Sequence, residues 1–378
     1  MSVGCLPDFP WDSLAPYAER ASAVSGGIVD LSVGTPVDPT PDVVRSALAA
    51  AADAPGYPQT YGTPELREAV AAWFAARRGV PDVDPAGVLP TIGSKELVAW
   101  LPSLLGLGAG DTVGYPAVAY PTYAVGAILA GAHGVAADAL TAYGPVSKVT
   151  APKLLWLNSP GNPTGKVLGV EHLAKVVAWA RERGVVVASD ECYAELDWRT
   201  DRGGDRFPTT PSILDPRVTG GSSEGLLAVY SLSKQSNLAG YRAAFVAGDP
   251  ALVRRILEVR KHAGMMMPGP VQRALVAALG DAGHVERQKA TYAARRARLR
   301  PALERAGVRI EGSEAGLYLW GSAGEDCWVT VGRLADAGVL VAPGAFYGAA
   351  GRRHVRVALT ATDERIATAA ARLDHLAP

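Results

Sequence analysis

Four apolar runs constrain the fold of this chain most: "LLWLN" (154–158), "VVVAS" (185–189), "LLAVYS" (226–231) and "AAFVAG" (243–248). They are continuous rather than alternating, as strands covered on both faces of a sheet are. Between the first two, "VEHLAKVVAWARERG" carries apolar residues at helical spacing and closes on a glycine, a common helix stop. From about residue 45 to 260 helical patterns alternate with short apolar runs, which predicts a mostly parallel sheet flanked by helices. After about residue 265 the texture changes to a long Arg-rich helical pattern, "VERQKATYAARRARLRPALERAG", and then to the short pieces "GLYLWG", "GVLVAPG" and "HVRVALT". These predict a smaller α+β domain. The expected organisation is a segment 1–40 that packs on the small domain or a partner subunit, a large domain 41–262 and a small domain 263–378.

At 378 residues, 48% hydrophobic, the chain is long enough for one large core or two smaller ones. Lys+Arg and Asp+Glu are both 37, so no basic field exists to hold nucleic acid or an anionic membrane surface. The greasiest stretch, "LVAWLPSLLGLGAG", is expected to break at Pro102 and its glycines, and no run has the length to cross a bilayer. Cys5, Cys192 and Cys327 form no close pair and no metal spacing, which fits reduced thiols in a cytoplasmic protein. Cys192 is expected only to pack.

In open α/β sheets ligands gather at the carboxyl ends of strands, and three of the runs end in "NSPGNPTG", "DECY" and "SLSK". A lysine in a partly apolar site, its pKa depressed, can form a Schiff base with an aldehyde such as pyridoxal phosphate. Lys234 is followed by an arginine whose planar fork suits a phosphate, Arg242, and flanked by the hydroxyls of Ser231 and Ser233. Taken alone, the lysine reads as a solvated loop residue and the arginine as a surface ion pair. Asp190 ends a buried strand, where a carboxylate is costly without a positive partner. A protonated pyridine nitrogen is such a partner, and Tyr193 and Asn162 stand in reach of the ring hydroxyl oxygen. Each also has a plainer reading, Asp190 as a helix cap and Asn-Pro as a turn.

Together and in this order, "NSPGNPTG", "SDECYAEL" and "SLSKQSNLAGYRAAFVAG" resemble the class I/II aminotransferases of fold type I, pyridoxal 5′-phosphate enzymes similar to aspartate aminotransferase. The likeness runs from "LSVGTPVDPTP" to "HVRVALTATDE". It implies that Lys234 is the Schiff-base lysine, that Asp190 partners the pyridine nitrogen, and that Tyr193 and Asn162 bind the ring oxygen. By the same resemblance Gly93, Ser94 and Lys95 form a phosphate loop opening a helix, completed by Ser231, Ser233 and Arg242, and Tyr120 stacks on the ring. Arg356 would grip the substrate α-carboxylate, with Asn162 beside it, and Gly34 would let backbone approach the substrate. Tyr57, or alternatively Tyr61, would reach the phosphate of a neighbouring subunit, which implies a homodimer with shared sites.

Over its whole length the chain resembles the actinobacterial succinyldiaminopimelate transaminases of lysine biosynthesis, which move an amino group between glutamate and N-succinyl-2-amino-6-oxopimelate. For the further carboxylates of that substrate, Lys261, His262 and Lys95 are candidates. Met265 to Met267 read either as an adaptable wall for its long chain or as core. An aspartate or aromatic aminotransferase, or a carbon–sulfur lyase, would use the same cofactor residues. A non-enzymatic sensing module of a DNA-binding regulator fits poorly, because the aminotransferase-like sequence begins almost at residue 1 and Lys234 is present.

Overall fold

The continuous runs become strands because both of their faces are covered. In a computed structural model, which describes residues 6–142, 151–199 and 210–376, a two-residue strand β1 (Val29–Asp30) precedes the main sheet. That sheet is built from β2 (Val88–Ile92), β3 (Thr112–Tyr115), β4 (His133–Ala136), β5 (Leu154–Asn158), β6 (Val186–Asp190), β7 (Leu226–Ser231) and β8 (Ala243–Gly248). Its order is β2-β8-β7-β6-β5-β3-β4; β8 runs antiparallel to both neighbours and the β7-to-β4 side is parallel. Cys5 lies outside the described residues.

Alternate side chains of each strand enter different cores. Leu155, Leu157, Val187, Ala228 and Phe245 pack in one core, while Leu154, Trp156, Ala188, Val229 and Val246 pack in another. The N-terminal helices are α1 (Ala15–Ser22), α2 (Asp42–Ala50) and α3 (Pro64–Arg78). Within and after the sheet come α4 (Ser94–Leu104), α5 (Thr122–Ala130), α6 (Val170–Arg181), α7 (Pro216–Thr219), α8 (Pro250–Ala263) and α9 (Gly269–Gly280). The first core takes residues from α2, α3, α6, α7 and α9; the second takes them from α4, α5 and α8. Local chemistry sets the ends. In α3 the Thr63 hydroxyl accepts the Leu66 N–H, Pro64 opens the first turn, and Gly79 closes the helix in the left-handed region.

One expectation is corrected here. Pro102 does not break the greasy stretch, because it lies in the last turn of α4, which continues to Leu104. α5 packs tightly against that turn, where a Cβ on Gly126 would stand 2.8 Å from the Val98 carbonyl oxygen.

A third core gathers around α10 (Ala282–Arg305), β9 (Arg309–Ile310), β10 (Tyr318–Ser322), α11 (Cys327–Asp336), β11 (Val339–Leu340), β12 (Ala342–Pro343), β13 (Val355–Ala358) and α12 (Asp363–Asp374). Four of these strands form an antiparallel sheet in the order β12-β13-β10-β9, and β11 pairs in parallel with β1. The N-terminal segment is built into this third core through Leu14, Val29 and Leu31.

Behind the sheet edge that matters, α3 supplies a buried ion pair. Arg78 Nη2 stands 2.9 Å from Glu191 Oε2, both side chains almost wholly buried, and Glu191 also accepts the Ile213 N–H at 2.7 Å. Arg78→Ala would leave Glu191 as an uncompensated buried charge beside Asp190. It is expected to cost about 3–5 kcal/mol in chemical denaturation, whereas a loss below about 1 kcal/mol, typical of an exposed pair, would contradict this account.

Candidate active site

The register of the main sheet places Asn158 beside Asp190, and Asp190 beside Val229, so three strand ends deliver their polar residues to one edge. A cavity of about 440 Å³ opens there. Its lining includes Gly34, Ser94, Lys95, Tyr120, Asn162, Asp190, Tyr193, Ser231, Ser233, Lys234, Arg242 and Arg356, nearly all the residues singled out from sequence.

Asp190 is buried at the end of β6. Its Oδ2 accepts the Tyr123 hydroxyl at 2.8 Å and its Oδ1 accepts the Cys192 N–H at 3.2 Å. Among the described residues no lysine or arginine forms an ion pair with it. Burial raises its pKa above the ordinary carboxylate value, and the bonds from Cys192 and Tyr123 offset only part of that rise.

Lys234 follows β7 in a short turn, half-buried, its ammonium donating to the Gly34 carbonyl oxygen. Burial pushes its pKa below the usual lysine value; Tyr318 opposes this, Arg356 adds to it, and Cys192 and Arg242 contribute less in opposite directions. Ser231 Oγ donates to Ser233 Oγ at 2.8 Å. Arg242 sits in the left-handed region at φ 58° and its guanidinium occupies the space beside Gly93. A Cβ on Gly93 would lie 2.0 Å from Arg242 Nη2, and Gly93 itself has φ 77°, so both space and backbone demand glycine. Gly93 caps α4, whose first N–H groups and dipole favour an anion at this point.

Arg356, on β13, is buried in the cavity wall without a carboxylate partner among the described residues. It donates from Nη1 to Asn162 Oδ1 at 3.1 Å and from Nη2 to the Ser32 carbonyl at 2.6 Å, while its Nε has no acceptor. Aromatic faces surround it instead, with Tyr318 at 4.0 Å, Tyr347 at 5.0 Å and Trp11 at 6.0 Å. Because Arg356 occupies the Asn162 oxygen, the Asn162 amide nitrogen is the part left for an acceptor.

Several residues lie elsewhere. Tyr57 is 98% exposed and does not line the cavity, whereas the Tyr61 hydroxyl donates to the Ala86 carbonyl at 2.8 Å and its ring lies under Arg67. Lys261 pairs with Glu258 on the exposed face of α8, and neither it nor His262 reaches the cavity. Met267 is core and Met265 packs beside α4, so the methionines do not wall the site. The reason is Arg260, fully buried, which pairs with Glu96 at 2.7 Å and binds the Met265 carbonyl at 3.0 Å, drawing this segment against α4. Gly34 does line the cavity, and Tyr318 packs over it so that a Cβ there would be 2.2 Å from the Tyr318 hydroxyl.

Reading the sequence alone overlooks Tyr123, Tyr318, Trp11 and Asn158. Asn158 shapes the "NSPGNPTG" turn, accepting the Asn162 N–H at 2.7 Å and donating to the Asp190 carbonyl at 2.9 Å. Its place as the last residue of an apolar run was the available signal.

The group implied by the sequence fits these residues. Pyridoxal 5′-phosphate offers an aldehyde for Lys234, a phosphate for Ser231, Ser233, Arg242 and the α4 terminus, a ring oxygen for Tyr193 and Asn162, and a basic nitrogen for the unpaired Asp190. Without cofactor, the protein is expected to undergo reductive labelling by pyridoxal phosphate at Lys234 with a pH midpoint below 10.5, since burial disfavours the ammonium and keeps the amine neutral to lower pH. A midpoint at or above 10.5, read by peptide mapping across a pH series, would contradict this.

Comparison with known proteins agrees with the geometry. A sequence profile of the family "Aminotransferase class I and II" matches residues 27–373. The 4-dedimethylamino-4-oxo-anhydrotetracycline transaminase of Streptomyces rimosus is 60% identical, over 97% of this chain and 99% of that protein. A probable aminotransferase of Mycobacterium tuberculosis is 59% identical, over 97% of this chain and 85% of that one. Among solved structures, a probable N-succinyldiaminopimelate aminotransferase from Thermus thermophilus superposes with a TM-score of 0.84 at 30% identity, covering 97% of this chain and all of the other.

Proposed function

The chain belongs to the class I and II aminotransferases, which depend on pyridoxal phosphate, and from that premise we propose that it moves an amino group between glutamate and N-succinyl-2-amino-6-oxopimelate, as a succinyldiaminopimelate transaminase. The observation that carries this reading is a second unpaired cation in the cavity wall. Lys95 Nζ lies 5.6 Å from the Phe9 ring centroid and 5.9 Å from that of Tyr120, with no carboxylate partner among the described residues. Both glutamate and the succinylated acceptor carry a carboxylate beyond the one that Arg356 holds. The likeness to the probable N-succinyldiaminopimelate aminotransferase of Thermus thermophilus supports the same reading.

When bound, the cofactor supplies an electron-accepting ring and an aldehyde. Arg356 presents a planar fork to the substrate α-carboxylate and fixes which C–H bond faces the lysine. Lys234, biased by burial toward its neutral form, would remove the α-proton, a positioned transfer worth roughly 100- to 10,000-fold. Asp190 would hold the ring nitrogen protonated, and Tyr193 and Asn162 would hold the ring oxygen. Tyr57, exposed and without a role in its own subunit's cavity, serves the phosphate of a second copy in a homodimer; Tyr61 is already committed within its own chain.

A second reading rests on the 60% identity to a transaminase whose named substrate is polycyclic, together with the aromatic rim of Phe9, Trp11 and Tyr120. In it, a flat ketone would lie against that rim. The two readings separate in one experiment. With glutamate as donor, kcat/KM is measured for N-succinyl-2-amino-6-oxopimelate, oxaloacetate, phenylpyruvate and a polycyclic ketone, in the wild type and in Lys95→Met. A charge-assisted hydrogen bond predicts that Lys95→Met lowers kcat/KM for the succinylated acceptor by about 10- to 100-fold, with that acceptor preferred in the wild type. Preference for the polycyclic ketone, insensitive to Lys95, would establish the second reading instead.

A further inference from the structure

We propose that Tyr318 is a positioning residue with two separable parts, a ring that holds Arg356 flat for an incoming carboxylate and a hydroxyl that divides the hydrogen bond of Tyr193. The inference rests on Arg356 being the carboxylate site.

The ring comes first. A buried guanidinium normally has a carboxylate beside it, and Arg356 has none among the described residues; its nearest compensation is the Tyr318 ring at 4.0 Å. Residue 318 lies on β10, whose neighbour β13 carries Arg356, with Trp320 and Arg356 directly paired. One strand therefore carries the cation and the adjacent strand its aromatic support. A ring face attracts the cation without saturating its donors, so the fork stays available to a carboxylate.

The hydroxyl comes second. It stands 3.3 Å from the Tyr193 hydroxyl, at the place where only a glycine at position 34 leaves room, and the carbonyl of that same Gly34 receives Lys234. Of the aromatic residues around Arg356, the Tyr347 hydroxyl is buried without a partner among the described residues, whereas the Tyr318 hydroxyl reaches Tyr193. Burial would raise the Tyr318 pKa, but Arg356 and Lys234 outweigh it and hold it below the ordinary tyrosine value, whereas Tyr193 is held above. In this proposal Tyr193 donates and Tyr318 accepts, one of the two directions that the 3.3 Å separation allows. While that bond exists, Tyr193 gives only part of its hydrogen-bonding strength to the ring oxygen.

The test uses the cofactor-loaded protein and two readouts, the pH midpoint of the visible band that Lys234 forms with the cofactor and the Kd of maleate, an unreactive dicarboxylate. Tyr318→Phe keeps the ring and removes the hydroxyl. Tyr193 then bonds the ring oxygen undivided and a partly negative neighbour of Lys234 is lost, so the midpoint is expected to fall by about 0.4 to 1 pH unit, the size of one neutral hydrogen bond, with maleate Kd within about twofold. Tyr318→Leu removes both parts and is expected to weaken maleate about tenfold or more, the scale of a desolvated cation–π contact. An unmoved midpoint in Tyr318→Phe, or wild-type maleate binding in Tyr318→Leu, would overturn the proposal. Arg356→Lys separates the two failures: if it also binds maleate as the wild type does, the reading of Arg356 fails as well.

Discussion

A carboxylate buried without its own cation is the constraint around which the rest of this molecule is arranged. Asp190 is accommodated in the sheet by Tyr123 and the Cys192 N–H, which take up its oxygens, and on the proposed reading a positive ring would complete its pairing. Its neighbour Glu191 carries a second buried charge, and there the chain supplies the partner itself, Arg78 from α3. Two adjacent acidic residues thus follow opposite rules. One is satisfied within the fold and locks the strand end; the other is left for a ligand.

The same logic repeats around the cavity. Arg356, Arg242 and Lys95 are cations without carboxylate partners among the described residues, and each faces the cavity that also holds Lys234. Burial, with smaller contributions from Arg356 and Arg242, lowers the Lys234 pKa. Glycines at 34 and 93 exist because side chains of the site, Tyr318 and Arg242, fill the space a Cβ would take.

Much of this was legible in the sequence. The run "LLWLN" is β5 residue for residue, and "LLAVYS" and "AAFVAG" are β7 and β8, because strands covered on both faces need uninterrupted apolar residues. Lys234, Asp190 and Arg242 stood out because charged groups at strand ends need a physical reason. Tyr123 and Tyr318 did not stand out. Each looks like an ordinary apolar-face aromatic, and its role depends on what the fold brings against its hydroxyl: Asp190 in the first case, Tyr193 in the second. For Lys261 and the methionines the sequence left two readings open, and the choice was fixed by a long-range pair, Arg260 with Glu96, that no local pattern announces.

The central claim is that Asp190 waits for a protonated ring nitrogen, and the nitrogen resonance of ¹⁵N-labelled pyridoxal phosphate bound to the protein tests it most directly. A resonance in the pyridinium range near neutral pH, moving to the neutral-pyridine range in Asp190→Ala, is the predicted result. A neutral nitrogen in the wild-type protein would contradict the account.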